Sequence, residues 1–188
     1  MGGRCEIGLR CVLPLLLFGS SLMTDGWAQH KSAVKRTSSA ISMKSASEGA
    51  ISVSFVSAPD GAALTGGTSG QRGLNLGTVS LASGAQTANV QMQKLPGRFV
   101  VSTRFGMSIQ AGSQTAITAA VLAALTVPDP VYTFRLDGIT LQTVPQLLQG
   151  QARMGTIIMH RLEIEVPTSI TEKNSQLNNA IIFQVIPN

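Results

Sequence analysis

From residue 51 onward, apolar and polar side chains alternate in short runs separated by turn residues. "ISVSFVSA" places Ile51, Val53 and Phe55 on one face and Ser52 and Ser54 on the other, which is the period of a half-buried strand. Residues 59–73, rich in Gly, Thr and Ser, read as a long loop. "GTVSLA" and "TANVQMQ" are further strands, the second with Ala88, Val90 and Met92 facing one way. "RFVVSTRF" sets Phe99, Val101, Thr103 and Phe105 on one side, and "GMSIQ" prolongs it past Gly106 through a bend or bulge. Residues 115–127, "TAITAAVLAALTV", fit both a strand alternation and a helical stripe through Ile117, Val121, Leu122 and Leu125. Their neighbours favour the strand.

Asp137-Gly138 lies between two apolar-rich runs, "VYTFRL" and "ITLQT", and is the pair that suits a two-residue type I′ hairpin. "VPQLLQGQARMG" is a connection that admits a short helical turn. "TIIMHRLEIEVP" predicts a long strand with Ile158, His160, Leu162, Ile164 and Val166 inward and Arg161, Glu163 and Glu165 outward. After a polar loop at 167–179, "NAIIFQVIPN" alternates Ile181, Phe183 and Val185 with Ile182, Gln184 and Ile186. Both of its faces are largely apolar, so it predicts a strand covered on both sides and held inside a sheet beside an early strand. Eight or nine short strands with little secure helix indicate an all-β chain, an antiparallel sandwich or a Greek-key barrel.

The first 50 residues follow another pattern. Arg4 and Arg10 precede "CVLPLLLFGSSLM", a run without charge, and Gly26 and Ala28 supply small residues before a cut. Residues 1–28 therefore read as a secretory signal peptide, too short in apolar length for the roughly 20 residues of a membrane span. Residues 29–50 are rich in Ser, Ala and Lys and read as a flexible basic extension, with Ile41 and Met43 the only hint of a strand. Residues 51–188 are left as one domain.

Composition narrows the chemistry. The only cysteines, Cys5 and Cys11, fall in the signal segment, so no disulfide, thiolate ligand or Cys nucleophile is expected after it. The formal charge is +5, but Lys31, Lys35, Arg36 and Lys44 concentrate it in the extension. A basic leader, not a nucleic-acid face, is the expectation. His30 lies in that leader, and His160 reads as a core histidine with a backbone partner. Two histidines do not supply a zinc ligand set. No G-x-S-x-G elbow occurs, and "GGTSGQRG" lacks the Lys-Ser/Thr ending of a phosphate loop. Glu163 and Glu165 share a face with Arg161, as structural charge does. Asp60, Asp129 and Asp137 each stand beside Gly or Pro, as turn residues do. The sequence thus predicts no catalytic residue, no metal site and no cofactor.

The C-terminal run "YTFRLDGITL … MHRLEIEVPTSITEKNSQLNNAIIFQVIPN" resembles bacterial secreted subunits of the spore-coat-U and archaic chaperone–usher pilin type. In those subunits a strand like "HRLEIEVP" leads through a polar loop to a final strand like "NAIIFQVIPN". The resemblance implies an immunoglobulin-like Greek-key β-sandwich in the periplasm, at the cell surface or outside the cell. It also implies a non-enzymatic structural role, with assembly by β-strand addition. Its partners would be subunits of the same or related type, or a periplasmic chaperone. Within it, Lys31 to Ser47 would be the donor segment, presenting Ile41 and Met43 in register. A second expectation stays open: a self-contained secreted binding module that uses loop 59–73 or loop 167–179.

Overall fold

The computed structural model describes residues 39–47, 51–77, 79, 86, 89–112, 118–170, 177 and 179–188. All of them belong to one compact unit, Val34–Asn188. The expected signal peptide and residues 29–38 lie outside the described residues.

The described residues form twelve strands: β1 (Ser39–Ser47), β2 (Ile51–Ser57), β3 (Ala63–Thr65), β4 (Gln71–Gly77), β5 (Gln91–Leu95) and β6 (Arg98–Ala111), followed by β7 (Thr118–Leu125), β8 (Thr133–Leu136), β9 (Ile139–Thr140), β10 (Gln146–Arg153), β11 (Ile157–Pro167) and β12 (Ala180–Pro187). They form two sheets, β10-β7-β12-β1-β4-β3 and β2-β6-β11-β8-β9, with β5 also paired to β6. Among the described residues no helix is long and apolar enough to cross a membrane.

The alternation in sequence explains which side of each strand is buried. In β6, Phe99, Val101, Thr103, Phe105, Met107 and Ile109 all turn inward. The strand runs unbroken through Gly106, pairing with β11 from Arg98 to Ser108 without a register shift. The expected bend is absent because the glycine is roofed over. A Cβ there would meet Val56 Cγ2 at 2.5 Å and Ile157 Cγ2 at 2.9 Å, so side chains of the two flanking strands close over its bare backbone. On the opposite edge of β6, β5 takes the first half and β2 the second.

The two sheets share one core. Its centre is aromatic: Phe183 of the first sheet stands 5.3 Å from Phe55 and 5.9 Å from Phe105 of the second, ring centre to ring centre. These are tilted and edge-on arrangements of the kind that add to burial.

The structure departs from the sequence expectations at four further places along the strands. Ser39–Ser47 is not part of a flexible extension but a strand inside the first sheet. Its own pattern is weak, and two preformed edges on either side supply what propensity does not. Residues 59–73 are not one open loop, because β3 folds back on β4 through a tight turn in which Gly66 and Gly67 have φ of 61° and 70°. The connection at 144–155 contains strand β10 and no helical turn; β10 pairs with β7 through two register shifts. Finally, β12 is buried on one face only. Ile181, Phe183 and Val185 are fully buried, but Ile186 is 39% exposed. The apolar outward side chains are a half-covered surface, and the strand's interior position comes from hydrogen-bonded neighbours.

Other expectations hold. Residues 118–125 are a strand. Asp137 and Gly138 have φ of 52° and 84°, as a type I′ turn requires.

Gly61 offers a sharp test of the packing. A Cβ at this residue would lie 1.9 Å from the Arg104 carbonyl oxygen and 2.9 Å from Ala58 Cβ. Backbone cannot yield as a flexible side chain can. Gly61→Ala is expected to cost about 3 kcal/mol, the upper end of ordinary overpacking, and to lower the melting temperature by roughly 10 °C for a domain of this size. An unchanged melting curve would contradict the close approach.

Candidate functional site

The strongest candidate is the slot that β1 fills. On one side β1 pairs in parallel with β12, Met43 standing beside Ile181 and Ser45 beside Phe183. On the other it pairs antiparallel with β4, Ile41 opposite Leu74 and Met43 opposite Arg72. The other strand pairs among the described residues are antiparallel. Ile41 and Met43 are both fully buried. The side chains between them, Ala40, Ser42 and Lys44, face outward and are at least partly exposed.

Polar contacts pin β1 at Ser42 and Ser45. Ser45 donates its backbone N–H and its hydroxyl to the Gly70 carbonyl, at 2.9 and 3.0 Å. Ser42 N–H donates to the Asn179 carbonyl at 3.3 Å. Asn179 anchors the start of β12 in turn. Its Oδ1 accepts from Ala180 N–H at 2.8 Å, and its Nδ2 donates to the Val127 carbonyl at 3.2 Å. The polar residue before the last strand thus ties that strand to the connection after β7.

The candidate donor residues Ile41 and Met43 and the terminal-strand residues Ile181, Phe183 and Val185 therefore meet in one place. They line the two adjacent central strands of the first sheet and enter the same core. Burying Ile41 and Met43 contributes about 1.5–3 kcal/mol each. That total is comparable with the whole net stability of a typical domain, about 5–15 kcal/mol. The order of the sheet adds a second point: among the described residues β1 alone connects β10-β7-β12 to β4-β3. Without it two unpaired edges would flank an apolar slot, a situation that favours pairing with another chain.

A second cluster holds the β8–β9 hairpin. His160 is 2% exposed, and its Nδ1 lies 2.6 Å from Asp137 Oδ2. Arg161 N–H donates to Asp137 Oδ1 at 2.7 Å, and Asp137 N–H donates to the Arg161 carbonyl at 2.9 Å. The partner of the core histidine is a carboxylate and not the expected backbone group. The turn aspartate also clasps β11, a role that depends on the β8–β11 register and leaves no mark in local sequence. An ionised carboxylate only accepts, so Nδ1 carries the proton. His160 Nε2 has no hydrogen-bond partner among the described residues. It is enclosed beside Phe105 and Phe183, whose ring centres lie 5.6 and 6.2 Å from that of the imidazole. His160 is enclosed while Asp137 keeps 35% of its side chain exposed, so the pair ties the core face of β11 to a surface turn.

Burial of Asp137 pushes its pKa up, but the His160 hydrogen bond, the Arg161 backbone N–H and the His160 charge together outweigh it. The net pKa is below the ordinary 3.8. A group with a lowered folded pKa adds stability that is fully present above its unfolded pKa. That stability is lost as pH falls through the folded value. The native chain should therefore exceed Asp137→Asn in urea midpoint by a constant margin above about pH 4, and the margin should shrink on further acidification. Asn tolerates the positive φ of this turn, so the comparison reports loss of the charge together with one acceptor, without backbone strain. A margin that grows on acidification would contradict the clasp.

Among the described residues no three His, Cys, Asp or Glu side chains are grouped to hold a metal ion. No protein-family model matches the chain, and no curated protein is significantly similar to it.

Proposed function

We propose that the protein is a non-enzymatic secreted structural subunit that assembles with its own kind, or with related subunits, by β-strand addition through β1. The observation that carries this reading is that β1 alone bridges the two parts of the first sheet, with both of its large side chains fully buried. The strand lies close to the N-terminal end of the fold, and residues 48–50 are all that separate it from β2. A strand in that position is the simplest element to pass between copies.

The contacts permit exchange. The slot in a second copy is identical, so a swapped β1 makes the same hydrogen bonds and buries the same Ile41 and Met43. Domain swapping of this kind is a low-cost route to oligomers. Three residues span at most about 11 Å when extended, which keeps exchanging copies close. Each copy would give a strand to one neighbour and take one from another. Such a head-to-tail contact grows into a ring or a filament. On this reading the fold is immunoglobulin-like with Greek-key connections, as in the pilin-type subunits that the C-terminal sequence resembles. A periplasmic chaperone would guard the slot before assembly.

The test is light scattering after size exclusion on a chain beginning at residue 29, with an unboiled denaturing gel of the same fractions. The expected result is a stepwise ladder of multiples that collapses on boiling. Monomer alone at every concentration would count against assembly and favour a self-contained module.

A further inference from the structure

The outer face of the second sheet carries a polar cleft of about 220 Å³ lined by Asp60, Gln91, Ser102, Thr103, Arg104 and Arg161. Arg104 on β6 and Arg161 on β11 stand directly opposite each other in the antiparallel ladder. Like charges in that relation repel, so the pairing calls for an anion. The protein supplies each arginine with one carboxylate contact. Asp60 Oδ2 meets Arg104 Nη1 at 3.1 Å, and Glu163 Oε1 meets Arg161 Nε at 3.0 Å. The two arginine side chains remain 56% and 55% exposed, and each guanidinium has five N–H donors in a planar fork. Pairs so exposed hold weakly.

The floor of the cleft is also polar. Ser102 is buried on the same face of β6, and its hydroxyl accepts from Arg161 Nη2 at 3.4 Å. Gln91 on β5 stands beside it in register. A planar oxyanion resting between the two arginines would meet two guanidinium forks, the geometry in which Arg recognises carboxylates. A volume of this size equals roughly seven waters at about 30 Å³ each, enough for one side chain. Among the described residues no aromatic ring lines the cleft, so a sugar acid would lack a stacking face there.

We propose that this cleft is a docking site for an acidic side chain of a peptide or protein partner, its carboxylate bridging Arg104 and Arg161. Asp60 is then an internal competitor that holds Arg104 while the site is empty. The site is separate from the β1 slot and does not depend on strand exchange.

The experiment titrates the intact chain from residue 29 with a short Glu-containing peptide at low salt, followed by calorimetry or by amide shifts of Ser102 and Arg161. Arms with the Gln-containing analogue and with free glucuronate run beside it. The Glu peptide should bind, and the Gln peptide should bind at least tenfold more weakly. Arg104→Gln and Arg161→Gln should each weaken binding at least tenfold, while Asp60→Asn tightens it several-fold. Equal binding of the two peptides, no effect of either arginine variant, or weaker binding by Asp60→Asn would overturn the proposal. So would glucuronate binding as well as the Glu peptide, which would make the ligand a sugar acid. All of these variants alter exposed side chains, and their melting curves should match that of the parent.

Discussion

A chain that begins at residue 50 is expected to show no cooperative unfolding transition, while the chain beginning at residue 29 unfolds in a single step. The truncation removes Ile41 and Met43, both fully buried, at a loss of about 3–6 kcal/mol from apolar burial alone. It also strips β12 and β4 of their central partner and divides the first sheet into two parts. A domain with about 5–15 kcal/mol in hand does not survive this intact. Adding a peptide of residues 36–48 should restore the transition, because the slot requires the strand and not its covalent link. A truncated chain that melts cooperatively, without peptide and at an unchanged temperature, would show that β1 is dispensable.

Phe183→Ala should have the largest effect of any single substitution. Its ring is fully buried at the junction of the sheets, in contact with Phe55, Phe105 and His160. It also stands on the strand that forms one wall of the slot. Removing a buried Phe costs about 3–5 kcal/mol, which is roughly 10 °C or more in melting temperature at this size. Because the cavity lies beside the paired residue Ser45, β1 should detach more readily. Amide exchange of β1 should then speed up more than that of β6. Equal acceleration in both strands would mean that β1 has no opening of its own.

Much of the fold was legible in the alternation of side chains. The inward faces of β2, β6, β11 and β12 follow directly from runs such as Phe99, Val101, Thr103, Phe105, and the Asp137-Gly138 turn follows from the need for positive φ at both positions. The illegible elements share a physical cause. β1 has only two large apolar residues, and β10 has Gly150 at its middle and polar neighbours. Each is a strand because an edge of another strand was waiting for it, which is information held by the pairing partner. The same applies to His160 and Asp137, which meet through the β8–β11 register. The candidate site was half visible. Ile41 and Met43 stood out in the leader, and Ile181, Phe183 and Val185 in the last strand, but that they are neighbours in one sheet required the topology.

If β1 seals the slot, a second copy's β1 should fill it equally well. The most direct measurement uses the register of Lys44 beside Ile182, both on the outward face of the first sheet. The chain after residue 28 contains no cysteine, so single thiols are unambiguous. One batch carries Lys44→Cys and the other Ile182→Cys; the two are mixed, equilibrated and oxidised. A third chain with both changes reports whether the disulfide forms within one molecule. A covalent dimer containing one chain of each kind is the expected product. Internal disulfide in the doubly changed chain, with no linked dimer in the mixture at any concentration, would contradict it.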